Sequence, residues 1–127
     1  MTDELARTGE QTRRAVLGDA HVDRAQATTT PFTAPFQDYV TAVAWGRVWS
    51  RPGLDRRTRS CLTLAVLAAL RYETELEMHI RAAVRLGVTP AEIQEILLHT
   101  TVYAGAPAGN AAFALAQRVL TELGLDV

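Results

Sequence analysis

The sequence predicts an all-α protein of about six helices, and three features predict it. Helix start and stop signals recur along the 127 residues. No stretch alternates apolar and polar residues convincingly enough to be a strand. Several segments repeat apolar residues at helical spacing. A hydrophobic fraction of 48% supplies a core for a single domain spanning 1–127. A monomer of this size buries only about two thirds of its unfolded surface, so a deep pocket is easier to build between subunits than within one.

The first helix reads from about Glu4 to Leu17 and is closed by Gly18. Asp19–Pro35, with its Thr28-Thr29-Thr30-Pro31 run, reads as an irregular, extended connection. Its length suggests either function or contact with a neighbouring subunit. A second helix from about Pro35 to Trp49 places Phe36, Tyr39, Val40, Val43 and Ala44 on one side, and Ser50-Arg51-Pro52-Gly53 breaks it. Asp55 can cap a third helix, which runs to about Leu70 and is apolar nearly all round, the pattern of a helix buried on most sides. The fourth covers about Thr74 to Leu86 and stops at Gly87. Thr89-Pro90-Ala91-Glu92 is a capping box with proline at the first helical position. The fifth helix it opens runs to about Tyr103 and breaks at Gly105-Ala106-Pro107; a sixth ends near Leu123-Gly124.

Composition excludes several kinds of chemistry. With a formal charge of −1 and its charges dispersed, the chain lacks the basic stripe that nucleic-acid binding needs. No apolar run approaches the roughly 20 residues of a membrane span. The polar N-terminal residues do not resemble a signal peptide, so the expected location is the cytoplasm. Cys61 is the single cysteine, which rules out an intrachain disulfide and a CxxC pair. All 13 basic side chains counted as Lys or Arg are arginine. Schiff-base catalysis and covalent pyridoxal phosphate, which need a lysine amine, are therefore excluded.

On a helical wheel of the fourth helix, Tyr72, Leu76, Ile80 and Ala83 share a face and His79 falls inside it. Glu75 lies one turn before His79, while Glu77 and Arg81 point away. A carboxylate at that spacing can hydrogen-bond the imidazole, set its tautomer and raise its proton affinity. From spacing alone, a core histidine satisfied by a neighbouring carboxylate is the commoner arrangement, and an acid–base pair is the sharper reading. His21, His79 and His99 show no metal-ligand spacing, so no metal is expected. Arginine suits bidentate carboxylate recognition. Arg56 and Arg57 read as a solvated helix entry, whereas Arg59 leads into the apolar run and is expected to face inward. Trp45 and Trp49 fit core or interface packing better than a ligand platform. Cys61 reads as an inert packing residue.

Two long strings carry a family resemblance. Trp45-Gly46-Arg47-Val48-Trp49-Ser50-Arg51-Pro52-Gly53-Leu54-Asp55-Arg56-Arg57-Thr58-Arg59-Ser60 and Glu75-Leu76-Glu77-Met78-His79-Ile80-Arg81-Ala82-Ala83 resemble the γ-carboxymuconolactone decarboxylases. Residues 14–22 and 102–110 resemble the same family, and Gly87–Ile93 is a marker of the wider alkylhydroperoxidase-D-like superfamily. The resemblance implies a cytoplasmic helical homo-oligomer, a hexamer or trimer. It also implies cofactor-free, metal-free conversion of a lactone carboxylate to β-ketoadipate enol-lactone and CO₂ in protocatechuate degradation. His79 with Glu75 would carry the proton chemistry. Arg59 and Arg51 would hold carboxylate, Tyr103 and Asn110 would supply polar groups, Trp45 would contact the substrate, and His21 would complete a neighbouring subunit's site. Disulfide-reducing relatives carry CxxC and an earlier glutamate; Tyr72, Glu75 and Ser60 stand at those positions here. A thiol peroxidase or disulfide reductase is one alternative, and a non-enzymatic ligand-binding helical oligomer is another. His99 stands where the family pattern has glutamine and is assigned no role.

Overall fold

A computed structural model describes residues 2–127. Every regular element among them is helical, as the sequence predicts, but the helices number seven rather than six. They are α1 (Thr2–Leu17), α2 (Asp19–Ala27), α3 (Ala34–Tyr39), α4 (Arg56–Leu70), α5 (Glu73–Arg85), α6 (Pro90–Ala104) and α7 (Ala106–Glu122). At Tyr39 the helical path continues without a break into a π-helical stretch, Val40–Trp49. The chain divides into two compact units, Met1–Arg56 and Arg57–Val127.

In the first unit, α1 packs against the π-helical stretch at backbone distance. A Cβ on Gly9 would overlap the Thr41 carbonyl oxygen, and one on Gly46 would lie 2.5 Å from that of Leu5. The Ser50 hydroxyl donates to the Trp45 carbonyl at 2.7 Å and accepts from the Thr12 hydroxyl at 2.7 Å. That pair ties the end of the π-helical stretch to α1.

The extended connection expected over Asp19–Pro35 is a correction: nine of its residues form α2. Gly18, at φ 91°, turns the chain after α1. Arg14 then ties α2 down by hydrogen bonds to Asp19 at 3.1 Å and Gln26 at 3.2 Å and an ion pair with Asp23 at 2.8 Å. Val22 is buried on the inner side. The threonine run marks where α2 ends.

A second correction concerns the expected stripe from Phe36 to Ala44: Phe36 and Tyr39 are mostly exposed, and burial falls instead on Trp45 and Gly46. Winding changes at Val40, so residues before and after it do not follow one 3.6-residue wheel.

In the second unit, Leu64 and Ala68 of α4 meet Leu76, Ile80 and Ala83 of α5 in one apolar cluster. Ile93 and Leu97 of α6 and Ala112, Ala116, Val119 and Leu120 of α7 complete it. The capping box opens α6 as expected, with the Thr89 hydroxyl accepting from the Glu92 amide and the Glu92 carboxylate accepting from the Thr89 amide. Gly109 lets α7 approach α6, since a Cβ there would overlap the Thr101 side chain. Across the outer side, Glu77 and Arg81 of α5 pair with Arg118 and Glu122 of α7, at 2.8 Å for Arg118–Glu77 and 2.8 Å for Arg81–Glu122. The expectation for α4 is also corrected. It buries Ser60, Leu64 and Ala68 but leaves Leu62, Val66 and Leu70 about half exposed. A small unit offers each helix one buried side, and apolar residues off that stripe stay at the surface.

Candidate active site

His79 is buried on α5 at 8% exposure, between Leu76 and Ala83 and beside Ile80. The amphipathic face predicted for this helix is the one observed, apart from Tyr72, which is about half exposed. Tyr72 precedes the helix with ψ 75°, and Arg71 before it has φ 62°. The helical wheel therefore does not extend to it. Glu75 stands exposed in the first turn of α5.

On α4, Arg56 and Arg57 are exposed and Arg59 is half-buried, as the entry pattern suggested. Arg57 is ion-paired with Glu92. Backbone and side-chain donation from Thr89, together with Arg57, hold the Glu92 carboxyl down to about 2. The Arg57 guanidinium is thus engaged with the α6 cap.

Tyr103, at the end of α6, is mostly exposed and lies against the exposed His99 ring, centroids 5.3 Å apart. Asn110, on α7, is also exposed and lines a groove of about 590 Å³ between α6 and α7 with Leu97, Phe113, Gln94 and Gln117. Neither His79, Arg59 nor Tyr103 lines that groove. The second unit therefore buries His79 and keeps Arg59 half inside, while Glu75, Tyr103 and Asn110 remain at its surface.

In the first unit, Trp45 is buried and stacks on Trp49, ring centroids 4.9 Å apart. Packing is the role the sequence favoured for this pair. Arg51 is exposed in the segment after the π-helical stretch. His21 was placed on a loop by the sequence and is instead a half-buried residue of α2. Burial lowers its proton affinity most, and the positive charges of Arg13 and Arg24 lower it further.

Among the buried polar residues Thr12, Arg13, Ser60 and Thr100, none of which has a role assigned from the sequence, two stand out. Arg13 is almost fully buried and donates to Gln37 at 3.2 Å and Thr41 at 3.4 Å. Ser60 is completely buried on α4. A polar residue four before Leu64 and eight before Ala68 is the one signal of it in the sequence, because that spacing puts it on the core stripe. Among the described residues, no three or more His, Cys, Asp or Glu side chains group as metal ligands. No helix among them is long and apolar enough to cross a membrane.

An all-helical chain with a single buried histidine and arginine as its basic residue fits an acid–base site for a small anionic ligand. Comparison with known proteins narrows the class. The model of the carboxymuconolactone decarboxylase family matches residues 34–118. A 4-carboxymuconolactone decarboxylase of Acinetobacter baylyi is 48% identical over 126 residues, covering 98% of this chain and 94% of that protein. A nitrosuccinic acid decarboxylase of Metarhizium robertsii is 42% identical over 125 residues, covering 95% and 87%. A 4-carboxymuconolactone decarboxylase of Pseudomonas putida is 53% identical over 38 residues, covering 30% and 79%. The chain belongs to the carboxymuconolactone decarboxylase family.

Proposed function

We propose that this protein is a 4-carboxymuconolactone decarboxylase, a carboxy-lyase that releases CO₂ to form β-ketoadipate enol-lactone. The observation that carries this reading is the 48% identity, maintained across 98% of the chain, to an enzyme of that name. Residues 1–127 act as one decarboxylase domain, assembled as a cytoplasmic hexamer or trimer in which 1–34 contacts a neighbouring subunit.

The substrate supplies its own electron sink. Its departing carboxylate sits on a carbon conjugated through a double bond to the lactone carbonyl, so the electrons released with CO₂ reach the carbonyl oxygen as a dienolate. No metal or organic cofactor takes part. The protein has to hold a carboxylate, stabilise an oxyanion and return a proton to carbon.

Arg59, with Arg51 second, is assigned the carboxylate, because a guanidinium grips it through two parallel hydrogen bonds. His79 is assigned proton delivery, with Glu75 setting its charge state; a positioned acid contributes roughly 10²–10⁴ in rate. Tyr103 and Asn110 are assigned polar contacts to the substrate; Trp45 is assigned a substrate contact as well, and His21 is assigned to the site of a neighbouring subunit. The exposure of Glu75, Tyr103, Asn110 and Arg51 in the isolated chain makes their roles depend on assembly.

Likeness to the nitrosuccinic acid decarboxylase favours a second substrate of the same chemical class. A carboxylate on a nitro-bearing carbon also leaves its electrons on oxygen. Adding 4-carboxymuconolactone to the purified protein should give CO₂ and loss of ultraviolet absorbance, with nitrosuccinate turned over more slowly. No CO₂ from the lactone would refute the assignment, and a preference for nitrosuccinate would transfer it to the second reading.

A further inference from the structure

The buried polar side chains of the second unit are Ser60, His79 and Thr100. A hydroxyl inside a helix has a ready acceptor in the carbonyl one turn back. Thr63, Thr100 and Thr101 use it, donating to the carbonyls of Arg59 at 2.9 Å, Ile96 at 2.8 Å and Leu97 at 2.7 Å. Ser60 does not. It is 0% exposed, and its Oγ has no hydrogen-bond partner among the described residues.

Buried polar groups are nearly always paired, and leaving one unpaired destabilises the fold. Alanine would satisfy this position at no such cost. Ser60 shares its stripe with Leu64 and Ala68, which belong to the same apolar cluster as Leu76, Ile80 and Ala83 of α5. His79 lies on that buried side of α5. Only Arg71 and Tyr72 separate the two helices in the chain. Ser60 therefore lies on the stripe by which α4 joins the apolar cluster of this unit, the cluster to which α5 contributes Leu76, Ile80 and Ala83, and it follows Arg59 directly.

A donor for a developing oxyanion works best when fixed in place and shielded from water. Tyr103 and Asn110 are exposed, whereas Ser60 is shielded from water on a helix that joins the core, with its hydroxyl uncommitted to any other acceptor. We infer that Ser60 is a substrate-contacting residue, its hydroxyl reserved for the oxyanion of the dienolate. This rests on the decarboxylase reading. As the bond to the departing carboxylate breaks, its electron pair moves through the double bond to the lactone carbonyl oxygen. Ser60 donates a hydrogen bond to that oxygen and keeps its proton. His79 then protonates carbon and is reprotonated from solvent.

The test is Ser60→Ala in the full chain, with thermal denaturation and steady-state kinetics on the same preparation. The expected result is a Tm equal to or above the parent's with kcat lowered on the order of 10²–10³ and KM within a few-fold. Ser60→Cys, which keeps a weak donor, should fall between the two in kcat. Parent-like kcat in Ser60→Ala would overturn the assignment and leave the decarboxylase reading standing. A Tm lowered by more than a few degrees would also overturn it, by showing that the hydroxyl holds the fold. A parent that releases no CO₂ would remove the reading beneath the inference and the inference with it.

Discussion

The two units are held together by different physics. In Arg57–Val127 a single apolar cluster draws on all four helices, and polar ties lie mainly outside it. In Met1–Arg56 buried apolar residues are fewer. Thr12 and Arg13 are buried beside them, and α1 meets the π-helical stretch backbone to backbone at Gly9 and Gly46. The first arrangement is written in hydrophobic periodicity. The second depends on close approach and on individual hydrogen bonds, which leave little periodic trace.

This contrast sets the size of each expected effect. Leu64→Ala removes a fully buried side chain from the cluster. It should cost about 2–5 kcal/mol, seen by denaturant unfolding, with hydrogen exchange accelerated across α4–α7. A loss under about 1 kcal/mol would mean the cluster is not the main support of that unit. Gly9→Ala forces a methyl against the Thr41 carbonyl and should cost about 1–3 kcal/mol. Its exchange signature should fall on α1 and the π-helical stretch. Equal loss of protection in both units would show that they unfold together.

Arg14→Ala removes the shared partner of Glu10, Asp19 and Asp23. Because these pairs are largely exposed, the effect should be small: a Tm lower by a few degrees and faster exchange confined to α2. Unchanged exchange there would break the claim that Arg14 makes residues 19–27 helical.

The smallest effect is pH-dependent. The folded Glu92 carboxyl is held at about 2 against an ordinary 4.5. Its stabilisation is therefore fully present above the ordinary value and disappears as pH falls from about 4.5 toward 2. Glu92→Gln should flatten the stability profile in that window and leave it unchanged near neutrality in shape. A parent profile already flat there would contradict the cap's contribution.

The same contrast explains what the sequence made legible. The ends of α1, α5 and α6 were readable because Gly18, Gly87 and Gly105 adopt positive φ at 91°, 89° and 100°, and because Thr89 and Glu92 form a local cap. The buried face around His79 was readable from spacing along one regular helix. α2 was not, because it rests on Arg14 reaching from another helix, and its threonines suggested a loop. The stripe predicted from Phe36 to Ala44 failed because winding changes at Val40. Among the candidate site residues, the partial burial of Arg59 accords with its place at the edge of an apolar run. The exposure of Tyr103 and Asn110 and the unpaired hydroxyl of Ser60 depend on three-dimensional packing that a wheel does not contain.

The imidazole buried on α5 is proposed to carry the proton of the decarboxylation. Steady-state decarboxylation of 4-carboxymuconolactone by His79→Ala, with Tm and oligomeric mass measured on the same sample, tests it most directly. Turnover should fall by roughly 10² or more in a protein that stays folded and assembled as the parent does. Near-parental turnover, or a variant that loses activity only because it unfolds, would return His79 to the core as a packing residue.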